Sequence, residues 1–331
     1  IGQGLFINQR MADIRKAKIA RNLNTAERNL QAVDVIYEAS VSYMSWKRSY
    51  NEVKLYENYL ENAMIRYKGV AKLIEEGDKP AIDSVEAGIA VKTRRLNLED
   101  AKLKLTKAKL ELSNYLWLEN NIPLELKDNL QPEDFLSKSI KETLQINELA
   151  PIDLDKHPKI LALDSKIAML KVDRKLKANA LLPKLDLSYN YLSEPSYIDN
   201  YRLENYKIGV NFSFPIFLRK ERGSLKLADL KIQDSEFGLQ FERKNLENKI
   251  NSQQQEIVSL EIQQDYNNKL VKDFTTLLNA EDRLFKMGES SLFIINSREN
   301  SLVSSQLNEI ALENRYLNAI IGLFQTIANP N

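Results

Sequence analysis

Between residues 10 and 70 the apolar positions Ile14, Ala17, Leu23, Leu30, Val33, Ile36, Val41, Met44, Leu55 and Tyr59 recur at helical spacing, and no proline interrupts them. This pattern predicts one continuous helix, and some 60 residues at 1.5 Å rise would extend ~90 Å. The segment Glu75-Glu76-Gly77-Asp78-Lys79-Pro80 then supplies a stop and a restart. A second helix is predicted over residues 82–118. Along it Ile89, Leu96, Leu103, Leu110 and Trp117 form one strict seven-residue line, while Val91, Leu98, Leu105 and Leu112 form another. The lines are two residues apart, about 200° around a helix, so this helix calls for neighbours on two opposite sides. A two-helix coiled coil needs only one such seam.

Residues 119–156 break the pattern with Pro123, Pro132 and Pro151 in polar surroundings, and read as a connector. His157-Pro158 opens another helix to about residue 182, with proline in the first turn where its missing N–H costs nothing. Over residues 183–217 the period changes from 3.6 to 2. Leu185, Leu187, Tyr189 and Tyr191 alternate with Lys184, Asp186, Ser188 and Asn190; Tyr206, Ile208, Val210, Phe212 and Phe214 alternate with Lys207, Gly209, Asn211 and Ser213. Each strand has the ~9–11 residues that a tilted strand needs to cross a bilayer core. One reading is a half-exposed hairpin packed on helices. The other is a membrane hairpin, with Leu185, Leu187, Tyr189, Tyr191, Ile208, Val210, Phe212 and Phe214 facing lipid. Lys184, Asp186, Ser188, Asn190, Lys207, Asn211 and Ser213 then line a watery pore. The aromatic content of the apolar side favours the second.

A further proline-free helix is predicted to residue 287. Its heptads Leu225, Ile232, Leu239, Leu246 and Ile250, Ile257, Val271, Leu278, Phe285 are separated by a four-residue step, a stutter that straightens a supercoil. A turn at Gly288-Glu289-Ser290-Ser291 and a last helix over residues 292–328 follow. The two turn glycines lie 211 residues apart, and the same offset places Phe6 on Phe217, Ile14 on Leu225, Ile19 on Leu230 and Ala108 on Ala319. Two copies of one helix–turn–helix arm are therefore expected, their tips at one height. In the second copy the arm follows the hairpin, so residues 1–8 read as the end of an equivalent first hairpin.

Composition narrows the class. Only 10 Gly and 9 Pro punctuate 331 residues, 28% of the chain is charged, and the formal net charge is +1. Interleaved charges of both signs argue against a nucleic-acid groove. There is no cysteine, hence neither disulfides nor a thiolate metal site. No apolar run reaches the ~18 residues of a spanning helix, so a membrane crossing would have to be made of strands.

Several segments, in order, resemble the TolC family of outer-membrane proteins: Leu182-Pro183-Lys184-Leu185, Gly209-Val210-Asn211-Phe212-Ser213-Phe214-Pro215-Ile216-Phe217, Gly288-Glu289-Ser290-Ser291-Leu292 and Ile82-Asp83-Ser84-Val85-Glu86-Ala87. The resemblance implies a mainly α chain whose long antiparallel helical hairpins form a periplasmic α-barrel. A homotrimer would complete a β-barrel in the outer membrane of a Gram-negative bacterium. It implies a passive channel of a tripartite efflux pump or type I secretion system, with outer-membrane lipid, a periplasmic adaptor protein and an inner-membrane transporter as partners. The organisation expected is 1–8, end of a first membrane hairpin; 9–118, first helical hairpin; 119–156, equatorial connector; 157–182, helix; 183–217, transmembrane hairpin; 218–329, second helical hairpin. The tips, Gly77, Lys79, Pro80 and Asp83 with Gly288, Glu289, Ser290, Ser291 and Leu292, are the expected adaptor-docking surface, since glycine permits close backbone approach. The same glycines serve as left-handed helix caps, and Asp83 suits the helix dipole. The family often places acidic residues six and nine positions after the second turn glycine; here Ile294 and Ser297 stand there, leaving Glu289 and Arg298 as gate candidates.

No catalytic, cofactor-binding or metal-ligating constellation emerges. His157 is the only histidine and reads as a surface residue of a helix cap. Asp153-Leu154-Asp155 lacks the glycine and distal Glu of a calcium loop, and no glycine-rich phosphate cradle follows a strand. The rival readings are a coiled-coil scaffold, which leaves the alternating hairpin unexplained, and a periplasmic adaptor, which would carry one helical hairpin and not two.

Overall fold

The computed structural model describes residues 2–4, 9–127, 129–133, 140, 142, 144, 153–191, 206–213 and 217–328. Much of the expected connector, and residues 5–8 of the expected first strand end, lie outside the described residues. In chain order the elements are β1 (Gly2–Gly4), α1 (Gln9–Glu75), α2 (Ala81–Ser113), β2 (Trp117–Leu118), β3 (Ile122–Pro123), a 3-10 turn (Leu154–Lys156), α3 (Pro158–Asn179), β4 (Lys184–Tyr191), β5 (Tyr206–Ser213), α4 (Arg219–Lys286) and α5 (Leu292–Ile327). The architecture is mainly α, with long antiparallel helical hairpins and a small antiparallel sheet. Among the described residues no helix is long and apolar enough to cross a membrane.

The chain divides into two compact units: one takes residues 1–32 and 151–248, the other 33–150 and 249–329. The first unit holds the sheet, in the order β1-β4-β5 with every pairing antiparallel. Gly2–Gly4 pairs with Ser188–Asp186 as an edge strand. Alongside, α3 is joined to its neighbours by ion pairs that run antiparallel on both sides: Asp173 with Lys16 and Lys166 with Glu27 of α1, then Lys171 with Glu236 and Arg174 with Asp229 of α4. These side chains are a third to a half exposed, and such pairs contribute ~0–1 kcal/mol each. Buried Ile160, Ala162 and Ile167 of α3 supply the apolar part of this joint.

His157 is placed differently from its surface assignment. It caps α3 through Nδ1, which accepts from the Lys159 N–H at 3.1 Å, but the ring itself is buried. Pro158, also buried, fixes the first turn of α3, and the imidazole tucks in beside it and does not project into water.

In the second unit α1 and α2 form the first hairpin, zipped by small apolar clusters. Trp46 packs with Ala108 and Leu112, and Val53 with Leu98 and Ala101. Of the two seams read on α2, this one has its neighbour within the chain. Among the described residues the other has none: Ile89, Leu96, Leu103 and Leu110 are 58%, 72%, 54% and 61% exposed. Helix α2 also ends earlier than its periodicity suggests, at Ser113. Trp117 and Leu118 leave it to pair with Ile122–Pro123 across a turn in which Asn120 and Asn121 take positive φ. Asn tolerates that conformation, so Asn120-Asn121 serves as turn chemistry and the helix stops before it.

Candidate functional site

The two turns are built alike. At the first, Gly77 N–H donates to Ile74 O and Asp78 N–H to Leu73 O; at the second, Gly288 N–H donates to Phe285 O and Glu289 N–H to Leu284 O. Each is a Schellman cap closed by a glycine at φ +84° or +81°. The 211-residue offset carries each of these atoms onto its counterpart, and it carries the last residue of α1 and the first of α2 onto those of α4 and α5. The turns lie side by side. Val70 and Ala87 of the first hairpin pack on Leu292, with Ile74 and Phe285 against them, and Lys79 Nζ sits 4.8 Å from the centroid of the Phe285 ring. Differences are confined to the restart: Pro80 caps α2 without a side-chain bond, whereas Ser291 Oγ accepts from Ile294 N–H. Ser290 donates to Glu281, Glu289 is exposed, Asp83 lies in the first turn of α2, and Arg298 reaches Glu281 at 4.0 Å.

In the sheet the register sorts the side chains by polarity. Leu185 pairs with Phe212, Leu187 with Val210 and Tyr189 with Ile208; the alternate pairs are Lys184–Ser213, Asp186–Asn211, Ser188–Gly209 and Asn190–Lys207. Apolar residues thus meet apolar residues across the strands on one face and polar meet polar on the other. The apolar face is open: Ile208, Val210 and Phe212 are 61–66% exposed. Tyr191 pairs in register with Tyr206, and Phe214 lies outside the described residues.

Between the hairpins lies an ionic cluster that motif reading missed. Glu299 of α5 is 1% exposed and accepts from Arg94 of α2 at 2.9 Å and Arg66 of α1 at 3.1 Å. Arg94 also donates to Asn300 and stands over the Tyr59 ring, whose hydroxyl donates to Gln306. Burial, reinforced by Glu299 and opposed by Arg94, pushes the Tyr59 hydroxyl up to about 12. A signal was present, since Arg94 interrupts the line Ala87, Ala101, Ala108, every member of which is buried.

Helix α5 lies between α2 and α4 and floors a groove of about 980 Å³. Its floor is Ser297, Asn300, Ser301, Ser304 and Asn308, with Thr93 and Asn97 of α2 on one bank and Asn267 and Phe274 of α4 on the other.

No protein-family model and no curated protein matches the sequence. Solved structures do. The outer-membrane channel OprN superposes with a TM-score of 0.80 at 13% identity, over 99% of this chain and 73% of that one. The outer-membrane channel CmeC of Campylobacter jejuni gives 0.76 at 15% over 99% and 69%. The open-state outer-membrane channel MtrE of Neisseria gonorrhoeae gives 0.77 at 14% over 99% and 74%. At these identities the likeness establishes the fold, and it extends over nearly the whole chain.

Proposed function

We propose that this chain is a TolC-family protein, forming as a homotrimer an outer-membrane duct that passively conducts substrate across the periplasm and outer membrane. The observation that carries the reading is the sheet register, in a chain with the fold of outer-membrane channels. An apolar face left open to solvent is costly in water and suited to lipid, while Lys184, Asp186, Ser188, Asn190, Lys207, Asn211 and Ser213 share the opposite, water-lining face. Spin labels placed singly at Leu187, Val210, Asp186 and Asn211 of the reconstituted protein test it. Contact with a lipid-soluble relaxant is expected only at the first two, and equal contact at all four would overturn the membrane hairpin.

Self-association is supported by a second complementarity. The open seam of α2 includes Ile82, Ile89 and Leu96; helix α4 carries its own, with Leu284, Leu277 and Leu270 at 39%, 44% and 48% exposed. The two helices run antiparallel from neighbouring tips. With the tips of two copies level, Ile82 falls opposite Leu284, Ile89 opposite Leu277 and Leu96 opposite Leu270. Within one chain α5 separates these seams, so each is completed by a neighbouring copy, the head-to-tail contact that closes rings. In this cysteine-free sequence, oxidation of Leu96→Cys/Leu270→Cys should yield covalent trimers and neither single variant any; monomers from the double variant would count against the ring. The side-by-side tips, Gly77 to Asp83 and Gly288 to Leu292, would then dock a periplasmic adaptor that couples the duct to an inner-membrane transporter. Bulky Lys79→Trp or Ser291→Trp should abolish adaptor cross-linking while trimers still form.

A further inference from the structure

We infer that the α5 face carrying Ser297, Asn300, Ser301, Ser304 and Asn308 lines the lumen near the tip, and that this stretch of wall is electrically neutral, so the duct here sorts solutes by size and not by charge. The inference rests on the duct reading above and deepens it.

Two seams, on α2 and α4, are taken by neighbouring copies in the proposed ring, with Ile89 and Leu270 of those seams also standing at the edges of the groove, and the second unit keeps two further faces. One belongs to α1 and exposes Lys54, Glu57, Glu61, Lys68 and Lys72, long charged side chains that need room and bulk water. The other is the groove over α5. Around a ring of helices the inner circumference is the shorter, so the face built of small side chains suits the inside. The composition of that face is unusual for a chain that is 28% charged. Of the residues lining the groove only Glu86 and Arg94 carry charge, and both have partners: Glu86 accepts from Asn296 at 3.3 Å, and Arg94 is held by Glu299. Between Phe293 and Asn308 the only charged residues of α5 are Arg298 and Glu299. Arg298 turns to Glu281 of α4 and Glu299 is turned into the protein, so neither charge lines the groove.

The neutral stretch from Ser297 to Asn308 covers about three turns, or roughly 17 Å of wall by helix rise. Ion selectivity in a wide pore comes from rings of like charge, and a floor of hydroxyls and amides, set beside the uncharged Ile89, Leu270, Phe274 and Phe293, supplies hydrogen bonds to water and solute without a field that favours either sign. Solutes of either charge, and neutral polar ones, would meet the same surface.

The absence of cysteine allows a direct test on the full chain in planar bilayers. Ser301→Cys should react with cationic and anionic thiosulfonate reagents of equal size at rates within about twofold of each other, and either adduct should lower conductance. The triple variant Ser297→Asp/Ser301→Asp/Ser304→Asp should raise the cation-to-anion permeability ratio several-fold, whereas Lys72→Glu on the α1 face should leave it unchanged. Conducting pores whose selectivity ignores the triple variant, or a Ser301→Cys that reacts without altering conductance, would overturn the inference and leave the duct standing. A strong charge preference between the two reagents would also overturn it. If the full chain formed no pore at all, the duct reading would fall together with the inference.

Discussion

Where α1 meets α2 the joint is small and apolar, built on Ala101, Ala108, Leu98 and Leu112 against Val53 and Trp46. Where the same helix meets α5, long polar side chains span it at intervals: Arg66 to Glu299, Tyr59 to Gln306, Lys47 to Glu313 and Asp34 to Gln325. The first joint gains from area and is indifferent to the identity of its partners, provided the volume is kept. The second gains less per contact, but each rung is satisfied in one register only, so it fixes how the two hairpins are set against each other.

The largest expected effect strikes the polar joint. Glu299→Ala leaves two guanidinium groups short of their buried partner and should cost ~3–5 kcal/mol in denaturant unfolding of the assembled protein. Replacing Arg66, Arg94 and Glu299 together by Met should restore most of that loss. A triple variant as unstable as Glu299→Ala would mean that the cluster contributes net stability and not register alone.

Next comes the apolar joint. Ala108→Leu forces extra volume against Trp46 and Leu112 and should cost ~1–3 kcal/mol, with no change in the relative setting of the hairpins. Gly77→Ala and Gly288→Ala should each cost ~1–2 kcal/mol, because among the described residues nothing lies within 4 Å of the added methyl and the left-handed φ supplies the penalty. Clearly unequal losses would show that the two tips are not energetically equivalent.

The smallest effect at neutral pH is Tyr59→Phe, about 0.5–1.5 kcal/mol for one hydrogen bond. Its signature is at alkaline pH. The folded protein holds this phenol neutral up to about 12, so its stabilisation is complete below the unfolded value of 10.0 and is lost as pH rises through 12. Tyr59→Phe should flatten that part of an alkaline unfolding curve, and an unchanged curve would place the alkaline loss elsewhere, for instance at Tyr56, which burial also raises.

The helices and both tips were legible because each rests on a local signal: proline-free heptads, and glycine where a helix must end left-handed. The 211-residue offset survives to the level of individual hydrogen bonds for the same reason. The early end of α2 was not legible, since its heptad continues through Trp117 and only the Asn120-Asn121 turn overrides it. The Arg66, Arg94, Glu299 cluster was hidden differently. Its members come from three helices, and charged residues spaced along a helix read as solvated faces until their burial is known. His157 misleads for a similar reason: capping is local, but the covering of its ring is not.

The level tips also constrain how this chain can change length over generations. Helices α1 and α4 have 67 and 68 residues, and both must deliver their last turns to the same place for Val70 and Ala87 to meet Leu292. Deleting one residue from either arm would draw its tip back by about 1.5 Å and swing it through about 100°, misdirecting Arg66 or Phe285 altogether. Lengths inherited in such an arm should therefore alter by whole heptads, and a gain in one arm should be matched by an equal gain in the other.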